Sequence, residues 1–208
     1  MNAKNNWPTK KLKMNRSEVQ DYCVKNQYAT MRFFDASKDY VAARCCTFNG
    51  LVSVGFILAC QAVEKILKAF IYLENGEQMK QGHNPYKLKE KLKTLRDYKI
   101  DRYDALLKKL YDHYLARYYE DCRRHEDRTS GACSDELMEI DKLWLELVRR
   151  LPIPDEVRYR SKFITDLFED NSYWNNKYWI TIKNQALKKQ ISAMEKRYRE
   201  VFQYLYEK

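Results

Sequence analysis

The chain has 208 residues, with 39 lysine and arginine residues against 29 acidic ones and a formal net charge of +10. This length is enough for one domain with a sizeable core, without disulfide bonds or a structural metal. With only 5 glycine and 4 proline residues, the composition disfavours a loop-rich or all-β protein. The excess of positive charge favours an acidic partner such as RNA, DNA, a nucleotide or an acidic protein.

The 6 cysteines form no C-x-x-C pair and no cluster with histidine at zinc spacing. The three histidines are too few for a rich metal site. We therefore expect reduced thiols, no metal and no cofactor. The basic N-terminus has no apolar segment of the secretory type, which predicts a cytoplasmic protein.

Residues 1–27 are predicted to form a polar arm and a short helix whose N-cap is Asn15 or Ser17. The next predicted helix covers 28–48 and carries apolar side chains at steps of three and four. A turn at Phe48-Asn49-Gly50 then leads into the central helix. These two helices are expected to form a tight antiparallel hairpin.

The central helix, 51–75, is apolar around most of its circumference, which is typical of the middle of a bundle. Its polar stripe interrupts the apolar run, so the helix is not expected to span a membrane. The stripe consists of Gln61, Glu64, Lys65 and Lys68. It is interpreted either as a solvated edge with a Glu64–Lys68 ion pair, or as a polar seam that faces a cleft or a partner.

Gly76 is predicted to end the central helix, and Asn84 with Pro85 to begin the next one. That helix, 85–97, is strongly basic, and the sequence leaves open whether its charges face solvent or a ligand.

Further helices are predicted at 101–127, 135–151, 155–168 and from about 177 to the end, with a loop at 127–134. The pattern as a whole predicts an all-α, up-and-down bundle of five to seven helices over 28–208. The helices at 135–208 are expected to complete the bundle.

The densest polar cluster follows a helical spacing in 110–125 and consists of His113, Arg117, Asp121 and Arg124. One interpretation is a surface stripe with an Arg117–Asp121 pair. The other is a patch that holds a phosphate through arginine and moves a proton through histidine. The interleaved tyrosines belong either to the core or to a surface on which bases stack.

The sequence resembles the HEPN domain, a helical family associated with nucleotides and RNA. Four motifs in 28–125 carry the resemblance: Asp39-Tyr40-x-x-Ala43-Arg44, Gln61-Ala62-x-Glu64-Lys65-x-x-Lys68-Ala69, Gly82-His83-Asn84 and Tyr114-x-x-Arg117-Tyr118. The resemblance implies a helical bundle, commonly a homodimer with a cleft between its subunits. It also implies candidate ligand-binding residues, which are Arg44, Glu64, Lys65, Lys68 and His83, with a structural role as the alternative for Arg44 and His83. Arg124 of the polar cluster is a further candidate for ligand binding.

Many members of that family are metal-independent endoribonucleases, often toxins or phage-defence effectors. Others are non-catalytic partners of nucleotidyltransferases, or binding modules. The ribonucleases use an arginine followed after four to six residues by a histidine. Here seven residues separate Arg117 from His125, which places them about 12 Å apart along one helix axis.

This departure favours a non-catalytic binding or regulatory protein for RNA, a nucleotide or a partner enzyme. The first alternative is a divergent ribonuclease that uses Arg117 with His113 or His125. The second alternative is a dimeric scaffold that only mediates protein contact.

Overall fold

A computed structural model describes residues 14–79, 82–96, 98, 100–116, 130–160 and 185–206. These residues form α-helices and one 3-10 turn and include no strand, which confirms the all-α prediction. The helices are α1 (Arg16–Lys25), α2 (Gln27–Phe48), α3 (Val52–Asn75), α4 (Pro85–Leu95), α5 (Asp104–Ala116), α6 (Ser130–Arg150), α7 (Asp155–Arg158) and α8 (Gln185–Tyr206). The 3-10 turn, Asp101–Tyr103, leads into α5.

The described chain divides into two compact units. One unit is Gln27–Pro152 and holds α2 to α6. The other takes its described residues from Met1–Asn26 and Ile153–Lys208, and it holds α1, α7 and α8.

In the larger unit, α3 packs against α2, α4, α5 and α6, so the prediction that it lies at the centre is confirmed. Its small residues allow the helices to approach closely. A Cβ atom placed on Gly55 would lie 2.1 Å from Thr47 Oγ1 and 2.9 Å from the Ala43 carbonyl oxygen of α2. The short connection after α2 makes the two helices an antiparallel hairpin, as the sequence predicts.

The predicted helix ends around α3 and α4 are also confirmed. Gly76 ends α3 with a φ of 76°, and its N–H donates to the Tyr72 carbonyl oxygen. Asn84 Oδ1 accepts from the backbone N–H groups of Tyr86 and Lys87, with Pro85 in the first turn of α4.

The structure corrects two of the predicted elements. The loop expected at 127–134 is helical from Ser130 onward, because α6 begins there. The helix expected at 155–168 ends at Arg158, and Tyr159 already lies in a turn. The segments 117–129 and 161–184 lie outside the described residues.

In the smaller unit, α1 begins with a capping box in which Asn15 Oδ1 accepts from Glu18 N at 3.1 Å and Glu18 Oε2 from Asn15 N at 2.6 Å. Asp155 at the start of α7 is buried and accepts hydrogen bonds from Arg158 and from Arg197 of α8. A buried carboxylate between two guanidinium groups therefore connects α7 to α8.

Candidate functional site

The Asp39-Tyr40-x-x-Ala43-Arg44 motif of α2 forms a buried cluster with α6. Arg44 Nε and Nη2 donate to Asp141 Oδ1 and Oδ2, each at 2.9 Å, and the Tyr40 hydroxyl donates to Asp141 Oδ1. The Trp144 ring stacks on Tyr40, with centroids 4.7 Å apart. Burial raises the pKa of Asp141, and Arg44 opposes this rise. Arg44 is 1 % exposed, so in this geometry it joins α2 to α6, and its predicted ligand-binding role stays a prediction.

The same motif supplies an ion pair to α3. Lys65 Nζ lies 2.6 Å from Asp39 Oδ2, and about a fifth of each side chain is exposed. Burial raises the pKa of Asp39, while the contact with Lys65 opposes the rise. The predicted ligand-binding residue Lys65 therefore contacts a carboxylate of its own protein at the edge of the α2–α3 interface.

Glu64 and Lys68 form the predicted ion pair, but they do not form a solvated edge. Lys68 Nζ lies 2.7 Å from Glu64 Oε1, and the side chains are only 2 % and 7 % exposed. The second carboxylate oxygen, Oε2, lies 3.1 Å from Nδ1 of His83, whose side chain is 59 % exposed. The polar stripe of α3 thus leads from a buried ammonium through a buried carboxylate to an imidazole at the surface.

The His83 ring is fixed by contacts with two helices. Nδ1 of the imidazole faces the Glu64 carboxylate, so Nε2 lies on the side of the ring away from Glu64. Tyr114 of α5 stacks on the imidazole with centroids 5.9 Å apart, and Tyr111 stacks on Tyr114 at 6.2 Å. The arrangement presents an oriented imidazole beside aromatic rings.

The residues proposed for catalysis are placed only in part. His113 is 6 % exposed, and its ring lies 4.7 Å from the Phe56 ring inside the larger unit. Arg117, Arg124 and His125 lie outside the described residues. Of the three candidate catalytic residues the structure therefore describes only His113, and the roles of all three stay predictions.

The basic face of α4 is largely neutralised by acidic neighbours. The ion pairs are Lys89 with Asp101, Asp104 and Glu90, Lys91 with Glu77, Lys93 with Asp101, and Arg96 with Glu74. Burial by itself would lower the pKa of Lys89, but the carboxylates around it raise that pKa above its usual value. Lys87 is exposed and makes no ion pair with any described residue.

The described residues contain no group of three or more histidine, cysteine or acidic side chains placed to hold a metal ion. Cys23, Cys45, Cys46 and Cys60 are free thiols, and Cys60 is buried in α3. None of the described helices contains an apolar run that could span a lipid bilayer.

Sequence comparison matches residues 29–143 to the HEPN domain, which is more than half of the chain. The chain belongs to the HEPN family. The match begins near the start of α2 and ends within α6, so it includes the Arg44–Asp141 contact of this HEPN protein. No curated protein and no solved structure matches the chain. Membership supports a helical module of a family associated with nucleotides and RNA.

Asp141 was not predicted as part of the site, although its position in the sequence indicates a buried carboxylate. Asp141 follows Leu137 by four residues and precedes Trp144 by three, so it lies on the apolar face of α6. A carboxylate in that position is buried and requires a cationic or hydrogen-bonding partner. Its partner Arg44 is 97 residues away, and spacing alone does not identify a pairing at that distance.

Proposed function

We propose that this HEPN protein is a non-catalytic binding or regulatory module for RNA, a nucleotide or a partner enzyme, with RNA as the favoured ligand. One observation carries the proposal: the cations of its two N-terminal motifs contact carboxylates of their own unit. These pairs are Arg44 with Asp141, Lys65 with Asp39, and Lys68 with Glu64. Cations that are already neutralised are poorly placed to stabilise the negative charge of a transition state. The motifs therefore support the bundle, and binding is left to the exposed surface.

RNA is favoured because the net charge is +10 and because an oriented imidazole lies beside tyrosine rings. The test is the fluorescence anisotropy of a labelled, unstructured RNA titrated with the protein at several salt concentrations. For an RNA-binding protein, the logarithm of the association constant falls linearly as the logarithm of the salt concentration rises. The slope is about 0.7 for each phosphate that the protein neutralises on a single strand. A protein-interaction scaffold shows no binding, and that result would reject RNA as the ligand.

A homodimer and a nucleotidyltransferase-type partner are also part of the proposal, because the family is commonly dimeric and some of its members are partners of nucleotidyltransferases. Sedimentation velocity at micromolar concentration tests the dimer. A single species with the mass of one 25.2 kDa chain would count against it.

A metal-independent endoribonuclease is the second candidate function. The contact between Glu64 and His83 favours it, because a carboxylate that orients an exposed imidazole is the arrangement used in general acid–base catalysis. The test is incubation of labelled RNA in EDTA with wild type, Arg117→Ala, His113→Ala, His125→Ala and His83→Ala. Cleavage that one variant loses identifies a catalytic group. Intact RNA with wild type and with every folded variant would favour the binding function over the ribonuclease function.

A further inference from the structure

Three exposed side chains lie close together in sequence where the chain enters α4. They belong to His83, Tyr86 and Lys87, and we refer to them as the α4-entry surface. The His83 side chain is 59 % exposed and Tyr86 is 40 % exposed, so part of each ring is open to a ligand. An exposed imidazole, phenol ring and ammonium group thus lie within five consecutive residues.

His83 is held before any ligand arrives. Its Nδ1 contacts the buried Glu64 carboxylate of α3, and Tyr114 of α5 stacks on its ring. Because Lys68 holds the other oxygen of Glu64, the carboxylate itself is fixed. A ring that is already immobilised loses little conformational entropy when a second flat group stacks on it.

Lys87 differs from the other cations of α4. Lys89, Lys91, Lys93 and Arg96 all contact carboxylates, whereas Lys87 has no such contact among the described residues. The positive charge of α4 that remains for an anionic ligand is therefore concentrated at its first turn, within four residues of His83 in the sequence.

The ligand contacts would come from side chains and not from the helix terminus. Asn84 Oδ1 already accepts from the N–H groups of Tyr86 and Lys87. The Tyr86 ring is supported by Lys89, whose Nζ lies 4.8 Å from the ring centroid.

We propose that the α4-entry surface binds an unpaired segment of RNA. Bases stack on the rings of Tyr86 and His83, while a phosphate contacts the Lys87 ammonium group. Stacking on rings with a nearby cation selects single strands, because the bases of a duplex are already stacked on each other. This inference rests on the RNA-binding function proposed above and assigns that function to these side chains.

The charge test compares two lysines of the same helix. Lys87→Ala and Lys93→Ala each remove one positive charge from α4, but only Lys93 contacts a carboxylate. Anisotropy titrations of an unstructured RNA of about ten nucleotides are repeated at several salt concentrations. We expect Lys87→Ala to reduce the salt slope by about 0.7, which corresponds to one phosphate contact, and Lys93→Ala to leave it nearly unchanged.

The stacking test compares Tyr86→Ala with Tyr86→Phe. Loss of a stacked ring weakens binding at least about fivefold, whereas Tyr86→Phe retains the ring and binds like wild type. His83→Ala is expected to weaken binding as well, and the same RNA as a duplex should compete poorly. Thermal unfolding followed by circular dichroism selects variants that retain the wild-type fold.

The results separate this inference from the function on which it rests. Wild-type protein that binds no RNA would overturn both. Wild-type protein that binds RNA, together with folded His83→Ala, Tyr86→Ala and Lys87→Ala variants of unchanged affinity, would overturn only the α4-entry surface. Equal competition by duplex RNA would also overturn the preference for unpaired RNA.

Discussion

Arg44 of α2 and Asp141 of α6 form a two-point ion pair in which both N–O distances are 2.9 Å and both side chains are 1 % exposed. Removal of one partner leaves the other charge buried without its counter-ion. We therefore expect Arg44→Ala to lower the free energy of unfolding by about 3–5 kcal/mol. Urea denaturation followed by circular dichroism measures the change.

The double variant Arg44→Met/Asp141→Leu is the control for this prediction. It removes both charges and replaces them with apolar side chains, so we expect it to be clearly more stable than Arg44→Ala. If both variants unfold at the same urea concentration, loss of packing and not the unpaired charge explains the destabilisation.

Gly55 provides a steric prediction. A Cβ atom there would overlap Thr47 Oγ1 at 2.1 Å and approach the Ala43 carbonyl oxygen at 2.9 Å. We expect Gly55→Ala to destabilise the protein by about 1–3 kcal/mol, because α2 and α3 have to separate. Gly76→Ala is the comparison, since its Cβ meets no atom within 4 Å and its cost, about 1 kcal/mol, comes from the left-handed backbone. Thermal melting measures the stability of both variants. A lower melting temperature for Gly76→Ala than for Gly55→Ala would contradict this account.

Asn84 provides a prediction about the start of α4. Its side chain accepts from two backbone N–H groups, at 2.9 Å from Tyr86 N and 3.3 Å from Lys87 N. Asn84→Ala is expected to cost about 1 kcal/mol of stability, while Asn84→Ser retains an acceptor and costs less. The shift of each variant's denaturation midpoint from that of wild type checks the prediction. Equal losses of stability in Asn84→Ala and Asn84→Ser would show that the side-chain cap contributes little.

The acid stability of the protein should depend on Asp101. Hydrogen bonds from Lys89 and then Lys93 lower the pKa of this carboxyl below its usual value. Its stabilising contribution is therefore present above the unfolded pKa of about 3.9 and is lost as the pH falls through the lower folded pKa. We expect Asp101→Asn to melt below wild type at pH 6 and to approach it near pH 2.

Asp112→Asn is the matched control, because Asp112 is exposed on α5 and makes no ion pair with another described residue. Its melting curve should stay close to that of wild type across the range. A difference between Asp101→Asn and wild type that persists unchanged at pH 2 would contradict the assigned ion pairs.

Local features of the fold follow directly from the sequence. Asn84, Pro85 and Gly76 mark helix ends because their backbone and side-chain preferences act within a few residues. The Glu64–Lys68 pair likewise follows from helical spacing. The start of α6 at Ser130 was wrongly predicted as a loop. Serine and glycine have low helix propensity, but this preference is weak and tertiary packing overrides it.

Features of the candidate site that depend on contacts distant in sequence could not be predicted in the same way. Spacing places Glu64 and Lys68 on one face of α3 but does not show that both are buried, since burial depends on the helices packed over them. The basic composition of α4 likewise did not reveal that the acidic residues Glu74, Glu77 and Asp101 neutralise most of its charge. Lys87 becomes distinctive only after these pairs are known.

The short turn between α2 and α3 has a consequence for how the chain acquires its structure during synthesis. These two helices are neighbours in sequence, so their pairing closes only a small loop, whereas the Arg44–Asp141 contact spans 97 residues. We expect the hairpin to form on the ribosome before α6 has been translated. During that interval Arg44 lacks its Asp141 counter-ion, so we expect its guanidinium to stay in contact with water until α6 packs over it.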